Sequence, residues 1–245
     1  MPRDIWLIFR HQLRLTLGGW FGMVFGVLQP VLNLALFGPL LGTYLGHDSW
    51  QIFVPGVLIQ LSLLSAGLAG FGIVFDARFG VLERLRVTPA SRLALLLGRV
   101  LTNTVVLLGQ AVIVIAVGVA FGFRVPIAGL LIGLVLLVPL AAGLAALSYA
   151  FALTLRRQEL FAPLSSSVVV PMLLLSGALL PMSAAPGWLD AVSRATPFRY
   201  GVEGLRAAFA GHYASVTLAA GLGVSAAFAV AALAVGTRTF TRQHS

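Results

Sequence analysis

Six long uncharged stretches make up most of the chain, and short segments that carry the charged residues separate them. With histidine taken as uncharged, they run over 15–46, 49–75, 100–123, 125–155, 160–189 and 207–237. Each exceeds the roughly 20 apolar residues that a helix needs to cross about 30 Å of hydrocarbon. Because backbone groups in lipid must pair within their own segment, we expect helices. The pattern predicts an all-α membrane protein with six transmembrane helices, at about 20–42, 52–75, 100–122, 127–153, 161–180 and 216–236.

Residues 3–17 predict a separate helix that lies along the membrane surface. In a helical projection the charged positions share one face and the apolar positions cover the other. The charged face has Arg3, Arg10 and Arg14 with Asp4 and His11, and the apolar face has Ile5, Trp6, Phe9 and Leu13. An amphipathic helix of this kind suits the inner membrane interface. The alternative is that residues 3–17 simply begin a long first span.

The stretch 181–212 predicts two short helices rather than an open loop. Pro181, Pro186 and Pro197 interrupt the backbone, because proline ends or kinks a helix. Beyond them, apolar residues recur at helical spacing, at Phe198, Val202, Leu205 and Phe209. On the facing side, the spacing lets Glu203 pair with both Arg199 and Arg206. We expect a re-entrant or interfacial helical hairpin at the outer mouth, marked by Trp188, Tyr200, Glu203 and Arg206.

Charged residues are concentrated in the segment 76–99 of this apolar chain, and their spacing predicts a helical elbow. Apolar residues recur every three positions with charged ones around them, at Phe79, Leu82, Leu85 and Glu83, Arg84, Arg86. "TPAS" then ends this helix, since Thr88 can cap a second helix that has Pro89 at its first position. The second helix carries Arg92 and Arg99 into the third span. An ordered elbow would suit docking of a soluble partner, whereas the alternative is a solvated loop.

The distribution of arginine predicts which side of the membrane each segment faces. Twelve arginines lie in the N-terminus, the elbow, the 154–160 turn and the C-terminal tail, and four lie on the opposite side. Because cytoplasmic loops are rich in basic residues, both termini and the elbow are expected on the cytoplasmic side of a bacterial inner membrane. A net charge of +9 would otherwise suggest nucleic-acid binding. Here the arginines occupy gaps between apolar runs, so no nucleic-acid partner is expected.

The composition excludes several kinds of catalytic site. The chain has no cysteine, and all 16 of its Lys and Arg residues are arginine. It therefore lacks the lysine of a P-loop and of a Schiff base. The four histidines are isolated, and the acidic residues lie at the edges of the predicted spans. We expect no metal site, no catalytic residue and no cofactor in this chain, and no proton- or sodium-coupled carrier, which commonly needs an acid within the membrane.

Neutral polar residues inside the predicted spans are candidates for a substrate path. The candidates are Gln29, Asn33, Gln60, Asn103 and Ser166, and Gln110 is a further neutral polar residue of the third span outside this set. The alternative is that they only form hydrogen bonds between helices, worth about 0.6 kcal/mol per pair. Because the mid-span aromatic residues are phenylalanine, a hydrophobic or amphiphilic substrate fits better than a sugar polymer.

Two rows of small residues predict close helix packing in the first span. Glycine recurs every four positions, at Gly18, Gly22, Gly26 and at Gly38, Gly42, Gly46. Such rows let helix backbones approach each other closely. The contact could join two copies of the chain or two helices of one copy.

Two stretches resemble the permeases of type-2 ATP-binding-cassette (ABC) transporters, especially the daunorubicin-resistance type of drug exporter. "GVLERLRVTPASRLALLLGRVL" is similar to the loop between the second and third spans of that family. "LPMSAAPGWLDAVSRATPFRYGVEGLRAAF" is similar to the segment before the last span, with matches at Pro181, Pro186, Trp188, Pro197, Tyr200, Glu203 and Arg206. Span count, length and the amphipathic N-terminus extend the likeness over nearly the whole chain. One departure is "DARFGVLERLR", which has Asp76 and Arg78 where the family places a denser Glu/Arg run.

The resemblance implies a transport subunit that is driven by another chain. In that family the elbow carries a coupling helix on a separate ATPase, which implies ATPase contacts for Arg78, Phe79, Leu82, Glu83, Arg84, Leu85 and Arg86. The expected assembly has two copies of the ATPase, which bind ATP and magnesium, and a permease homodimer or a heterodimer with a second permease. The expected function is export of a drug-like or lipidic substrate. The alternatives are export of a lipid-linked glycan or polysaccharide, and a non-transporting membrane anchor or regulator.

Overall fold

All regular elements of the described chain are helices. The computed structural model describes residues 2–45, 49–78, 92–155, 158–179, 182 and 185–242. Its α-helices are α1 (Pro2–Gly18), α2 (Trp20–Leu45), α3 (Ser49–Gly67), α4 (Phe71–Arg78), α5 (Arg92–Ala120), α6 (Ile127–Thr154), α7 (Phe161–Leu175), α8 (Gly187–Ser193), α9 (Pro197–Phe209) and α10 (Val216–Arg242). A short 3-10 helix, Gln158–Leu160, precedes α7. The predicted all-α class is confirmed over these ranges.

Within the described ranges, four helical segments are long and apolar enough to cross a membrane. They are Ser49–Phe75, Leu93–Ala120, Ile127–Thr154 and Val216–Thr239. They correspond to the second, third, fourth and sixth predicted spans, so the protein is a multi-pass membrane protein. Gly26–Leu40 within α2 and Phe161–Leu175 are shorter apolar helices among the described residues. The first and fifth spans therefore stay predictions.

The second predicted span is interrupted rather than continuous. Hydrogen-bonded turns connect α3 to α4 between Gly67 and Phe71. The hydroxyl of Ser148 on α6 donates to the Gly67 carbonyl at 2.6 Å and accepts from the Gly70 N–H at 2.9 Å. Irregular backbone at membrane depth needs such partners, because lipid offers none. Ser148 thus fixes the break against the neighbouring helix.

The fifth predicted span also ends earlier than the hydropathy suggested. The helix α7 stops at Leu175, where the prediction continued to residue 180. Gly177 follows with a φ of 74°, a left-handed backbone conformation that glycine adopts at little cost. The 15 residues of α7 extend about 22 Å. The chain therefore turns within the bundle beside α3.

The core lies where α3, α6 and α9 meet. Leu58 and Ile59 of α3, Leu136 of α6, and Phe198 and Leu205 of α9 are all 0% exposed. Small residues allow the close approach: a methyl group at Gly204 would lie 2.8 Å from Leu136, and Gly221 of α10 packs against the same position. The share of buried residues falls from 67% in the α3–α4 span to 28% in α10. The α3–α4 segment is therefore central, and α10 presents most of its surface outwards.

The bundle has two distinct ends. At the hairpin end, which contains α8 and α9, the Gln51 amide donates to the Arg124 carbonyl at 3.2 Å. At the elbow end, which contains α1, α4 and the start of α5, Ile8 packs against Gly98, and Leu96 packs against Gly236. The arginine-rich segments predicted to be cytoplasmic thus gather at the elbow end, insofar as the structure describes them.

Candidate functional site

A cleft lined by glutamines opens between α2, α3 and α5. It has a volume of about 300 Å³ and is lined by Gly26, Gln29, Pro30, Gln60, Leu61, Leu64, Ser65, Leu68 and Gln110. Gln60 is 7% exposed and Gln110 is 4% exposed, whereas Gln29 lies at the exposed rim. Three amide side chains therefore converge among leucines within the predicted membrane region. We call this site the glutamine cleft.

Three of the predicted path residues come together at this cleft. Gln29 and Gln60 line it, and Asn33 joins it because its Nδ2 donates to Oε1 of Gln60 at 3.3 Å. This bond also satisfies the alternative prediction of hydrogen bonding between helices. Gln110 also lines the cleft, although its sequence position marked it only as a polar residue of the third span and not as a path candidate. Gln110 reaches the cleft because α5 packs beside Gly26 of α2. A methyl group added at Gly26 would lie 2.5 Å from Nε2 of Gln110.

Asn103 lines a different cavity, nearer the elbow end. This cavity of about 170 Å³ lies between α1, α4, α5 and α6, and its lining includes Gln12, Arg99, Thr102, Asn103 and Tyr149. The Nδ2 atom of Asn103 is buried and has no hydrogen-bond partner among the described residues. Asn103 is therefore not part of the glutamine cleft.

Ser166 belongs to neither cavity. It lies on α7 with an exposed side chain, while Ser165 beside it is 5% exposed. Ser167 donates to the Pro163 carbonyl at 2.7 Å. The helix turns Ser166 away from the bundle, so the structure does not place it with the other candidate path residues.

The predicted outer hairpin consists of α8 and α9, joined by residues 194–196. Pro186 precedes α8 and Pro197 begins α9, as the proline spacing predicted. The apolar positions of α9 face the core, with exposed fractions of 0–1% at Phe198, Val202, Leu205 and Phe209. Trp188 is 70% exposed. Tyr200 donates its hydroxyl to the Arg194 carbonyl at 3.2 Å. Whether the pair is re-entrant in a membrane stays a prediction.

An ion-pair network holds α8 against α9. Arg199 binds Asp190 at 2.6 Å and Glu203 at 3.0 Å, and Arg194 binds Asp190 at 2.7 Å. Hydrogen bonds from Arg199 and Arg194 hold the pKa of the Asp190 carboxyl below its usual range. The sequence predicted the Arg199–Glu203 pair from its spacing but did not indicate that Asp190 joins it.

Arg206 joins three parts of the hairpin end. Its Nε and Nη2 atoms donate to the Ile52 carbonyl at 3.3 Å, and Nη2 donates to the Gly177 carbonyl at 3.0 Å. The predicted Glu203–Arg206 ion pair is therefore wrong as a direct contact, because the guanidinium turns towards α3 and the end of α7. Burial lowers the pKa of Arg206 to about 10, so the side chain remains a cation at neutral pH.

Most of the predicted coupling residues lie outside the described residues. This applies to Phe79, Leu82, Glu83, Arg84, Leu85 and Arg86. Arg78 is the last residue of α4, and Arg92 is the first residue of α5. The described chain thus shows a helix that leads into the elbow and a helix that leads out of it.

The N-terminal helix α1 is separate from α2, with a break at Gly19. Arg3, Arg10 and Arg14 are exposed on it, whereas Phe9 is 8% exposed and packs inwards. Trp6 on the predicted apolar face is 58% exposed. The contact of α1 with α5 is close, since a methyl group at Gly98 would lie 2.7 Å from Cγ2 of Ile8. Position at a membrane interface stays a prediction.

The glycine rows of the first span are used partly inside one copy of the chain. Gly26 admits the Gln110 amide, and Gly38 packs against the Trp50 ring. Gly18 has no neighbouring atom within 4 Å of an added methyl group. The described chain therefore supports packing within the protomer for Gly26 and Gly38.

No group of three His, Asp or Glu side chains that could hold a metal ion occurs among the residues whose structure is described. The functional features of the described chain are thus a polar cleft, a buried cation and an ion-pair network. None of these arrangements brings a nucleophile next to a general base.

Comparison with known proteins gives a consistent result. A family model described as ABC-2 type transporter matches residues 3–210. The transport permease ycf38 of Cyanophora paradoxa is 29% identical over 192 residues, which cover 75% of this chain and 66% of that protein. Its namesake in Pyropia yezoensis is 30% identical over 191 residues, or 74% of this chain and 65% of that protein. The daunorubicin resistance ABC transporter permease DrrB1 of Streptomyces coeruleorubidus is 23% identical over 185 residues, with coverage of 74% and 65%. The chain thus spans about two thirds of the length of these relatives.

Proposed function

Because the chain belongs to the ABC-2 type transporter family, we propose that it is the membrane subunit of an ATP-driven exporter. Members of this family are transmembrane permeases that normally work with an ABC ATPase. The observation that carries the proposal is the family match over 3–210 on a multi-pass helical bundle. The exported molecule is hydrophobic or amphiphilic, either drug-like or lipidic.

The energy for transport comes from two copies of a separate ATPase subunit that bind ATP and magnesium. Two permease copies, identical or different, pair in the membrane. The ATPase docks on the elbow through contacts with Arg78, Phe79, Leu82, Glu83, Arg84, Leu85 and Arg86. The arrangement of the neighbouring helices supports this: α5 starts at Arg92 and packs against α1, α2, α3 and α6. Movement of the elbow is therefore transmitted to most of the bundle through α5.

The hairpin end acts as the outer gate. Arg206 holds α9 to the start of α3 and to the turn after α7. Opening to the outside separates these contacts, and closure restores them. Alternating access then consists of two linked events: closure of the ATPase pair moves the elbow, and the helices tilt until the gate parts.

The nature of the substrate is supported by the relatives and by the interior of the bundle. Two relatives are named for resistance to daunorubicin and doxorubicin. In this chain the glutamine cleft has leucine walls, and its lining as far as it is described contains no charged residue, which suits an amphiphile. Export of a lipid-linked glycan or polysaccharide and a non-transporting anchor remain the alternatives, and substrate-stimulated ATP hydrolysis separates an anchor from a transporter.

The protein lies in the bacterial cytoplasmic membrane, and both of its termini are on the cytoplasmic side. The arginine distribution supports this orientation, because twelve of the sixteen arginines fall on the proposed cytoplasmic side. The described segments of that side gather at one end of the bundle.

An added negative charge in the elbow tests the proposed coupling. Changing Arg84→Glu or Leu85→Glu places an anion where the ATPase docks, so we expect the ATPase subunit to be lost on co-purification and ATP-dependent export to fall to background. Both are measured on membranes from cells that express the two subunits, with the amount of inserted permease determined by a tag.

Arg238→Glu provides the matched control. It makes the same charge change on the same proposed side of the membrane, at the end of α10 and outside the elbow. It is expected to leave ATPase recovery and export at the level of the unaltered chain. Elbow variants that insert normally and still export at full rate would contradict the proposal.

A further inference from the structure

The glutamine cleft contains a buried hydrogen-bond acceptor that the described protein does not satisfy. Gln110 is 4% exposed, and its Oε1 atom is buried without a partner among the described residues. The residue lines the cleft with Gln29 and Gln60. Native proteins rarely keep a buried polar atom unpaired, and each exception calls for a partner or another explanation. A molecule that enters the cleft with an O–H or N–H group would supply the missing donor.

The surrounding side chains keep the Gln110 amide in this position. Its Nε2 end packs against Gly26, where even a methyl group would lie 2.5 Å away. The Gln60 carbonyl oxygen accepts from Asn33 at 3.3 Å, and as an acceptor it cannot supply the donor that Gln110 Oε1 lacks. The amide is therefore held by packing, and its acceptor remains available to a ligand.

The rest of the cleft favours an uncharged molecule with an apolar body. The walls are Pro30, Leu61, Leu64 and Leu68, and none of the described lining residues carries a charge. A cation would find no carboxylate there, and an anion would find no guanidinium. A charged group without a partner is expensive inside a membrane, whereas a neutral hydroxyl needs only the hydrogen bond that Gln110 accepts.

The cleft also lies at a useful depth for transport. Gln60 is eleven residues beyond Ser49, the first residue of α3. At 1.5 Å per residue this places it about 16 Å from the hairpin end. That distance is about half of a hydrocarbon layer of about 30 Å. A molecule held there is midway between the two faces.

We propose that the glutamine cleft binds the transported molecule and selects uncharged amphiphiles that carry a hydrogen-bond donor. Gln110 accepts from that donor, and the leucine walls bury the apolar body. The inference rests on the proposed transport function and names the substrate class that this function serves.

Matched fluorescent probes test the selection. The full-length chain in lipid nanodiscs is titrated with 1-pyrenebutanol, its methyl ether and pyrenebutyltrimethylammonium, and binding to empty nanodiscs is subtracted. These probes share an apolar body and differ in the head group. The alcohol can donate a hydrogen bond, the ether cannot, and the ammonium carries a charge. We expect the alcohol to bind about tenfold more tightly than the ether, as a single well-placed hydrogen bond allows.

Gln110→Met removes the acceptor while keeping a side chain of similar shape. The variant is expected to bind the alcohol about tenfold more weakly and the ether as before. Gly26→Ala is a second variant, which displaces the Gln110 amide without removing it and should weaken binding of the alcohol as well. Gln51→Leu is the matched control, because Gln51 lies on the same helix as Gln60 but binds the Arg124 carbonyl outside the cleft. It should leave all three affinities unchanged.

Two results would overturn the inference. One is equal binding of alcohol and ether by the unaltered chain, which would mean that only water donates to Gln110. The other is an equal loss of affinity for all three probes in Gln110→Met, which would indicate that Gln110 has only a structural role. Because binding is measured without an ATPase, this test is independent of the proposed export. If export fails while the alcohol preference depends on Gln110, the cleft stands and the transport function falls. If export is ATP-dependent and the preference for the alcohol is absent, the transport function stands and the proposed role of the cleft falls.

Discussion

Arg206 is the residue that most directly links the hairpin end to the rest of the bundle. It donates to the carbonyls of Ile52 and Gly177, two positions far apart in sequence. Burial opposes its charge and lowers its pKa to about 10, but three hydrogen bonds offset part of this cost. A buried guanidinium is stable only when such acceptors are present. Removing Arg206 would therefore cost stability mainly because the Ile52 and Gly177 carbonyls would lose their hydrogen-bond donor.

Replacing Arg206 by methionine should destabilise the protein by about 2 kcal/mol, because hydrogen bonds from a charged donor are lost and the Gly177 carbonyl loses its donor. For a chain of this size that corresponds to a fall in melting temperature of about 4–8 °C. Thermal unfolding in detergent at one fixed scan rate gives the value. The matched control is Arg194→Met, because the Arg194 side chain is 67% exposed and an exposed ion pair contributes little. Equal melting temperatures for the two variants would contradict this role of Arg206.

At the scale of elements, close helix packing depends on glycine at a few contacts. Gly56 on α3 faces the Ala178 backbone, and an added methyl group there would overlap its carbonyl. On α9 and α10, Gly204 and Gly221 bring the two backbones together in the same way. In a membrane such contacts replace the hydrophobic driving force that is missing between helices in lipid. The position of α3 at the centre of the bundle thus depends on residues without side chains.

Gly56→Ala should force α3 away from the turn after α7 and destabilise the fold by about 1–3 kcal/mol, the usual cost of overpacking a core. Gly109→Ala on α5 is the matched control, since no described residue outside its own stretch of helix backbone has an atom within 4 Å of the added methyl group. Alanine is a better helix former than glycine by about 0.5–1 kcal/mol, so this control is expected to be neutral or slightly stabilising. The comparison uses detergent melting temperature and the yield of monodisperse protein. A Gly56→Ala protein as stable as Gly109→Ala would show that the contact is not tight.

At the scale of the whole molecule, the sequence predicted those features that depend on hydropathy or on local spacing. Hydropathy predicted the four long spans, and spacing predicted α9 with its apolar face and the Arg199–Glu203 pair. These features depend on residues that are neighbours along the chain. Hydropathy predicted the second span but not the turn that interrupts its helix at Gly67–Gly70, because that turn depends on Ser148 from another helix. The direct Glu203–Arg206 pair was wrong for the same reason, since the Ile52 carbonyl competes for the guanidinium.

The candidate site shows the same limit of sequence reasoning. Gln29 and Gln60 could be named as polar residues in apolar spans, but nothing in their spacing indicated that Gln110 would join them. Asn103 and Ser166 looked equivalent to them in sequence and lie elsewhere in the fold. Which polar residues converge is decided by how α2, α3 and α5 pack. A single sequence contains that information only indirectly.

The central claim is that this chain is a passive membrane subunit whose elbow receives work from a nucleotide-driven partner. The most direct test is uptake of 1-pyrenebutanol, a fluorescent and uncharged amphiphile with a hydroxyl group, into inside-out proteoliposomes. They contain the chain alone, the co-purified ATPase subunit alone, or both, each with ATP or without it. The account predicts accumulation only when both subunits and ATP are present. Accumulation at the same rate by the chain alone, without ATPase or ATP, would contradict it.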